Sequence, residues 1–342
     1  MKALVYRGPW DIGVQEVPTP VPAPESAMLE VVATGICGSD IHGYTGRTGR
    51  RQPGQIMGHE TAARIRTLPD GAAAAGLHVG QLVAVNPVIG CGQCERCQAD
   101  EAHACPSRKV IGVNPEIPSA FAEYLVAPAA NLVPLAGSVT EMGGALVEPL
   151  AVGYHAAVRG GCRPSDRVVV IGGGPIGQAC AIAVRRMGAQ VIVSEPNPTR
   201  RGLLERLGFS SVIDPGPDSA ALVEAGDGRV TLVLDAVGSA DSLRTATQVS
   251  QAQGRIVLVG MQAPRLELDA YAISTAERQL IGSFSYSAEE FRQTAGWLAD
   301  NPELDEQLVD AQVGWSDAPE AFRSLAAGES TASKIVFVPG KD

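Results

Sequence analysis

Between residues 37 and 60 the chain reads Cys37-Gly38-Ser39-Asp40-Ile41-His42 and then Met57-Gly58-His59-Glu60. A thiol, two imidazoles, two carboxylates and a hydroxyl fall within one short stretch. Thiolate and imidazole are the soft and borderline ligands that zinc prefers, and a carboxylate can add an oxygen, so Cys37, His59 and Glu60 are candidate metal ligands. A second cluster, Cys91-Gly92-Gln93-Cys94-Glu95-Arg96-Cys97 followed by Cys105-Pro106, has the spacing C-x2-C-x2-C-x7-C in a polar lobe. Four thiolates at that spacing can close a tetrahedral shell, which is how a structural zinc holds an excursion with no core of its own. An iron–sulfur cluster is the rival, but the long last gap departs from the ferredoxin-like run.

A third motif suits a nucleotide. Gly172-Gly173-Gly174-Pro175-Ile176-Gly177 follows the apolar run Arg167-Val168-Val169-Val170-Ile171 and opens an amphipathic stretch. Gly172 permits a tight turn, Gly174 lets the backbone approach a pyrophosphate, and Gly177 lets helix and strand pack closely. With Pro175 and Ile176 in the first turn, the positive helix N-terminus faces the phosphates. A second strand ends in Glu195, roughly 20 residues further on, placed to bind an adenosine ribose diol and to repel a 2′-phosphate. That favours NAD over NADP, while Arg200 and Arg201 nearby soften the preference.

The elements that must hold these groups differ between the two parts of the chain. Over the first 135 residues, short runs at 2–6, 12–17, 28–34, 56–68, 81–86 and 121–126 carry β-branched residues or alternation, separated by turn residues. They predict an irregular, largely antiparallel β domain. A helix is predicted from 147 to 157, with Pro149 in its first turn and Glu148 at its start, where the helix dipole favours a carboxylate. Strand and helix then alternate to about residue 284, the mark of a doubly wound parallel sheet. Ligands bind at the carboxyl ends of such strands, so Ala236, Val237, Gly238, Val259, Gly260 and Met261 are expected to face the cofactor.

Composition excludes other classes. Thirty-seven acids against 27 bases leave a net charge of −10, which argues against a nucleic-acid partner. No uninterrupted apolar run reaches membrane-spanning length, and the first residues lack the apolar core of a signal peptide. A cytoplasmic location is therefore expected, where seven cysteines read as metal ligands rather than disulfides.

On these motifs the chain resembles the zinc-containing medium-chain alcohol/polyol dehydrogenase family over its whole length, and most closely its sorbitol, butanediol and threonine dehydrogenase branch. The resemblance implies a GroES-like irregular β-barrel catalytic domain over residues 1–147 and 286–342, with a structural zinc lobe at about 88–107. It implies an NAD-binding Rossmann domain over 148–285. Cys37, His59, Glu60 and Glu148 then match the catalytic zinc site, Glu148 standing where polyol dehydrogenases carry Glu. Asp40 matches the carboxylate that orients the ligating histidine, and Ser39 and His42 match the proton relay. Cys91, Cys94, Cys97 and Cys105 match the structural zinc lobe, giving two zinc ions per chain.

The activity so implied is reversible, NAD-linked oxidation of a secondary alcohol to the ketone. The substrate would be a polyol, a sugar acid, a vicinal diol or a similar small hydroxy compound. Tyr44, Phe121 and Tyr286 are candidate substrate contacts. Sorbitol dehydrogenases place an Arg-Tyr pair where this chain has Ser285-Tyr286, and the basic run Gly46-Arg47-Thr48-Gly49-Arg50-Arg51 admits an acidic or phosphorylated sugar. The apolar run at 280–284 would be an exposed sheet edge unless paired with a second copy, so a homodimer or homotetramer is expected. The alternatives are an NADP-linked or zinc-free reductase of the same fold, and a non-catalytic zinc-binding interaction module.

Overall fold

The computed structural model describes residues 1–72, 76–217, 219–330 and 332–341. It divides into two compact units, Met1–Glu148 with Ser287–Asp342, and Pro149–Tyr286.

The first unit is built on a seven-stranded, mostly antiparallel sheet. Its order is Ala311–Val313, Ile335–Phe337, Ser26–Gly35, Glu60–Thr67, Leu82–Val85 and Leu132–Pro134, with Tyr124–Pro128 also paired to Ser26–Gly35. A separate hairpin joins Lys2–Gly8 to Asp11–Glu16. Buried side chains of the hairpin (Leu4, Tyr6, Ile12) share one apolar cluster with Trp315, Phe322 and Phe337. The C-terminal segment therefore belongs to this unit's core, an assignment that periodicity alone does not give.

Strand register sets the position of the first chemical cluster. Gly35 lies opposite Glu60 on one side and opposite Val336 on the other. The residues just after Gly35, at Glu60 and just before Ile335 thus converge at one end of three adjacent strands. The short helix Gly38–Tyr44 starts there, with Cys37 as its N-cap.

A helix spans Glu141–Arg159, with Pro149 in its interior. This corrects the expected start at 147: Ala145, Leu146, Val147, Leu150 and Ala151 are all buried, and that burial offsets the helix donor that an interior proline removes. Glu148 accordingly sits mid-helix, away from the N-terminal dipole.

The second unit contains a six-stranded parallel sheet. Its strands are β1 (Arg167–Ile171), β2 (Gln190–Ser194), β3 (Val212–Ile213), β4 (Val230–Asp235), β5 (Ser250–Leu258) and β6 (Gln279–Gly282), in spatial order β3-β2-β1-β4-β5-β6. This is the doubly wound arrangement, with β1 and β4 flanking the point where the order reverses. Val168, Val169 and Val170 of β1 are wholly buried, as a central parallel strand requires. The edge strand β6 stops at Gly282, shorter than the apolar run suggests, and leaves Leu280 and Phe284 exposed. Among the described residues no helix is long and apolar enough to cross a membrane.

Candidate metal centre and dinucleotide site

Cys37, His59 and Glu60 each present one donor atom, and the three atoms lie within 4.8 Å of one another. Asp40, at the third position of the helix that Cys37 caps, organises the group. Its Oδ2 accepts from the Cys37 backbone N–H at 3.2 Å. Its Oδ1 faces His59 Nδ1 at 3.6 Å and Arg51 Nη2 at 3.7 Å.

Both Asp40 Oδ1 and His59 Nδ1 are buried with no hydrogen-bond partner. That is the pairing in which a carboxylate orients an imidazole whose other nitrogen binds a metal. The other nitrogen, Nε2, lies 3.5 Å from Ser39 Oγ. Burial works against charge on His59, but the adjacent Asp40 and Cys37 outweigh it and raise its pKa well above the ordinary value. Burial opposes ionisation of Asp40, whose pKa is nonetheless lowered by His59 and Arg51. A thiolate, a carboxylate and an imidazole fixed this way fit a zinc ion. His42 is half-buried on the same helix, its pKa lowered by burial and by the Arg47 cation.

Two features of this centre are not readable from the motif. Lys334, 4% exposed, places Nζ 2.8 Å from Glu60 Oε1 and 2.6 Å from Oε2. Burial opposes its charge, but Glu60, Cys37 and Glu148 raise its pKa. Gly35 clears the space for the carboxylate, since a Cβ there would lie 1.9 Å from Glu60 Oε2. Glu148 is buried but is not part of the three-residue donor group, in which Glu60 is the carboxylate.

The basic run also divides. Arg47 and Arg50 are exposed, whereas Arg51 turns inward and donates to the Val113 carbonyl at 2.8 Å. Gly43 makes room for it, because a Cβ there would meet Arg51 Cγ at 2.6 Å. The only chain-local hint was a third arginine in a row otherwise suited to solvent.

The three aromatic candidates are all buried. Tyr44 is a core residue whose hydroxyl donates to the Trp10 carbonyl at 2.9 Å and whose ring packs edge-on against Trp10 and Phe322. Phe121 is fully buried between Phe322 and Phe337. Both rings are part of the apolar cluster that includes Leu4, Tyr6 and Trp315. Tyr286 is 1% exposed.

The Sγ atoms of Cys91, Cys94, Cys97 and Cys105 lie within 4.8 Å of one another. Backbone N–H groups of Gln93 and Cys94 lower the Cys91 thiol pKa to about 6. Four thiols converging in a lobe whose helical turns Glu95–Gln98 and Ala102–Ala104 bury nothing fit a structural zinc.

In the second unit the glycine run does what its spacing requires. Gly172 has φ +96° and donates to the Ser194 carbonyl at 2.8 Å. A Cβ on Gly177 would lie 1.8 Å from the Gly172 oxygen, so the helix Pro175–Arg186 packs against the turn only with glycine there. Gly174, the N-cap, has open space above it, with only Arg200 Nη1 as close as 4.0 Å. Pro175 and Ile176 form the first turn behind it.

Glu195 accepts from the Gly173 N–H at 2.7 Å and from the Asn197 N–H at 2.8 Å, fixing its carboxylate beside the loop. Arg201 is occupied by backbone carbonyls and Asp214, which leaves Arg200 as the cation over Gly174. Asp235 Oδ1 accepts from the Val237 and Gly238 N–H groups and holds the turn of Ala236, Val237 and Gly238. The Val259 and Gly260 N–H groups donate to the Asp235 carbonyl, and Gly260 packs backbone to backbone on Val237. Met261 beyond it is exposed. These turns line up at the carboxyl ends of β1, β4 and β5, where a dinucleotide binds in this architecture.

Comparison with known proteins agrees with the geometry. Residues 23–137 match the alcohol dehydrogenase GroES-like domain and residues 175–300 the zinc-binding dehydrogenase domain. The chain is 34% identical over 294 residues to 2-dehydro-3-deoxy-L-galactonate 5-dehydrogenase of Pseudoalteromonas atlantica, covering 85% of each. It is 30% identical over 325 residues to L-galactonate-5-dehydrogenase of Escherichia coli, covering 94% of each. A structure from Sinorhizobium meliloti, described as a zinc-binding dehydrogenase bound to NADP, superposes with a TM-score of 0.88 at 28% identity, covering 99% of both chains.

Proposed function

The chain belongs to the zinc-containing medium-chain alcohol/polyol dehydrogenase family, and from that premise we propose that it oxidises a secondary hydroxyl of a sugar acid to the ketone. As a family member it is an oxidoreductase of small alcohols that uses zinc and a nicotinamide cofactor. The observation that carries the assignment is the thiol–imidazole–carboxylate group of Cys37, His59 and Glu60, with donor atoms within 4.8 Å. Those residues would hold the catalytic zinc, and Cys91, Cys94, Cys97 and Cys105 would hold a second, structural one. When bound, zinc would supply the Lewis acidity that lowers the pKa of a substrate hydroxyl, and a nicotinamide would supply the hydride acceptor. The protein orients His59 through Asp40. Ser39 and His42 carry the released proton toward solvent, with His42 kept neutral as an acceptor by its lowered pKa.

Two relatives named for galactonate derivatives support the sugar-acid class, and the exposed Arg47 and Arg50 supply cations for a carboxylate. Glu195 supports NAD as the cofactor. The NADP-bound neighbour, together with Arg200 over Gly174, keeps NADP as the second reading. The exposed edge strand β6, with Leu280 and Phe284, supports a homo-oligomer paired along that edge.

The test is absorbance of the reduced nicotinamide against a panel of aldonates, polyols and vicinal diols, with and without a zinc chelator. A chelator-sensitive signal with aldonates is expected. A signal only with uncharged polyols would overturn the sugar-acid assignment, and chelator-insensitive turnover would overturn the zinc assignment. Cys37→Ser should lose one of two zinc ions and all turnover while still binding the dinucleotide.

A further inference from the structure

We propose that Lys334 is a positioning residue that keeps Glu60 a loosely held, displaceable partner of the metal at Cys37 and His59. The inference rests on the zinc reading above and concerns a residue that no motif supplies.

Three observations carry it. Glu60 belongs to the three-residue donor group, yet both of its oxygens are within 2.8 Å of the Lys334 ammonium. The contact is almost fully buried, 4% exposed on the lysine and 1% on the glutamate, so water does not screen it. The site is also built for it. The absence of a side chain at Gly35 leaves room for Oε2, and the register of Val336 opposite Gly35 and Gly35 opposite Glu60 delivers Lys334 to the carboxylate. A spare buried cation in a metal site is costly unless it has a task, because it repels a dication and competes with it for the same oxygens.

The consequence is a division of labour. Cys37 and His59 anchor the metal, while Glu60, already satisfied by Lys334, binds it weakly enough for a substrate oxygen to take its place. Removing the ammonium should therefore strengthen the metal's hold and weaken catalysis. A side chain that merely props up the fold would, on removal, loosen both.

The experiment uses purified, zinc-loaded protein and follows zinc release to a chelator, the visible spectrum of the cobalt-substituted enzyme, and kcat and KM separately. Lys334→Met should slow zinc release and lower kcat, each by roughly tenfold or more, the scale on which groups behind metal ligands act. Its cobalt spectrum should shift as Glu60 closes on the ion, whereas Lys334→Arg should resemble the parent. In the double variant Lys334→Met/Glu60→Gln, release should be at least as fast as in the parent, because the gripping carboxylate is gone. Zinc release from Lys334→Met at the parent rate or faster would overturn the inference. Should Lys334→Met not fold, Lys334→Gln, which removes the charge but keeps a donor for Glu60, takes its place and must show the same slower release of zinc. If it too unfolds, Lys334 is a structural residue and the inference falls. Cys37→Ser separates the two levels of argument. If that variant keeps all its zinc, the metal reading itself fails; if it loses one ion while Lys334→Met releases zinc normally, only the role of Lys334 fails.

Discussion

Glu195→Gln tests how the chain chooses its dinucleotide. The carboxylate is 3% exposed and fixed by the Gly173 and Asn197 N–H groups. It cannot swing away from a ligand whose ribose lies against the glycine turn. Two like unit charges about 4 Å apart repel by roughly 1 kcal/mol in water and about 4 kcal/mol at the effective dielectric of a protein surface. At about 1.4 kcal/mol per factor of ten, the glutamate charge disfavours a 2′-phosphate by between about fivefold and several hundredfold. Glutamine keeps the shape and one acceptor oxygen for Gly173 but removes the charge. The ratio of kcat/KM for NADP over NAD should therefore rise at least fivefold, mainly through a gain with NADP. Steady-state kinetics with both cofactors at fixed ionic strength measure it. An unchanged ratio, or a parent enzyme that already prefers NADP, would refute the reasoning and make Arg200 the dominant charge.

Three further outcomes follow from the same geometry. Cys105→Ser should release one zinc ion and open the lobe to trypsin at Arg96 and Arg108, because that lobe buries almost nothing besides Cys105 itself; normal zinc content by metal analysis would count against it. Gly177→Val must push the Gly172 carbonyl aside, costing about 1–3 kcal/mol of stability. It should also weaken NADH binding at least tenfold by fluorescence titration, and parent-like affinity would contradict the role given to that glycine. His42 is held below its ordinary pKa of 6.5 by burial and then by Arg47. The acid limb of the kcat profile should thus lie below pH 6.5, and Arg47→Ala, by removing one depressing charge, should move it to higher pH. A limb that stays put or moves down would exclude His42 as the acceptor.

What the sequence discloses and what it conceals divide along a physical line. The four-cysteine lobe and the glycine turn are readable because their members are neighbours along the chain, and spacing alone fixes their geometry. The alternation that leads to β1 through β6 is readable for a related reason, since a buried parallel strand is a short apolar run whatever surrounds it. The helix Glu141–Arg159 misleads because Pro149 is a strong local signal for a helix start, while the burial that sustains the preceding turns is tertiary. Tyr44 and Phe121 look like pocket residues by type, and only the return of residues 315–337 to the first unit shows that they pack inside. Arg51 looks solvated until Gly43 is seen to make room for it. Lys334 is the extreme case: its partner lies 274 residues away, and a lysine before four apolar residues carries no hint of it.

That separation also has a bearing on biosynthesis. At roughly 5–20 residues per second, Lys334 leaves the ribosome about 14–55 s after Glu60. For that interval Cys37, His59 and Glu60 exist in the nascent chain without the cation that later competes for the carboxylate. The first unit cannot complete its sheet, because the strand Ile335–Phe337 is still missing from beside Ser26–Gly35. The carboxylate is therefore most available to an incoming ion before the sheet is finished. Metal taken up during translation meets a different set of competitors from metal offered to the finished protein, and chains deprived of zinc while they are made need not match chains stripped of it afterwards.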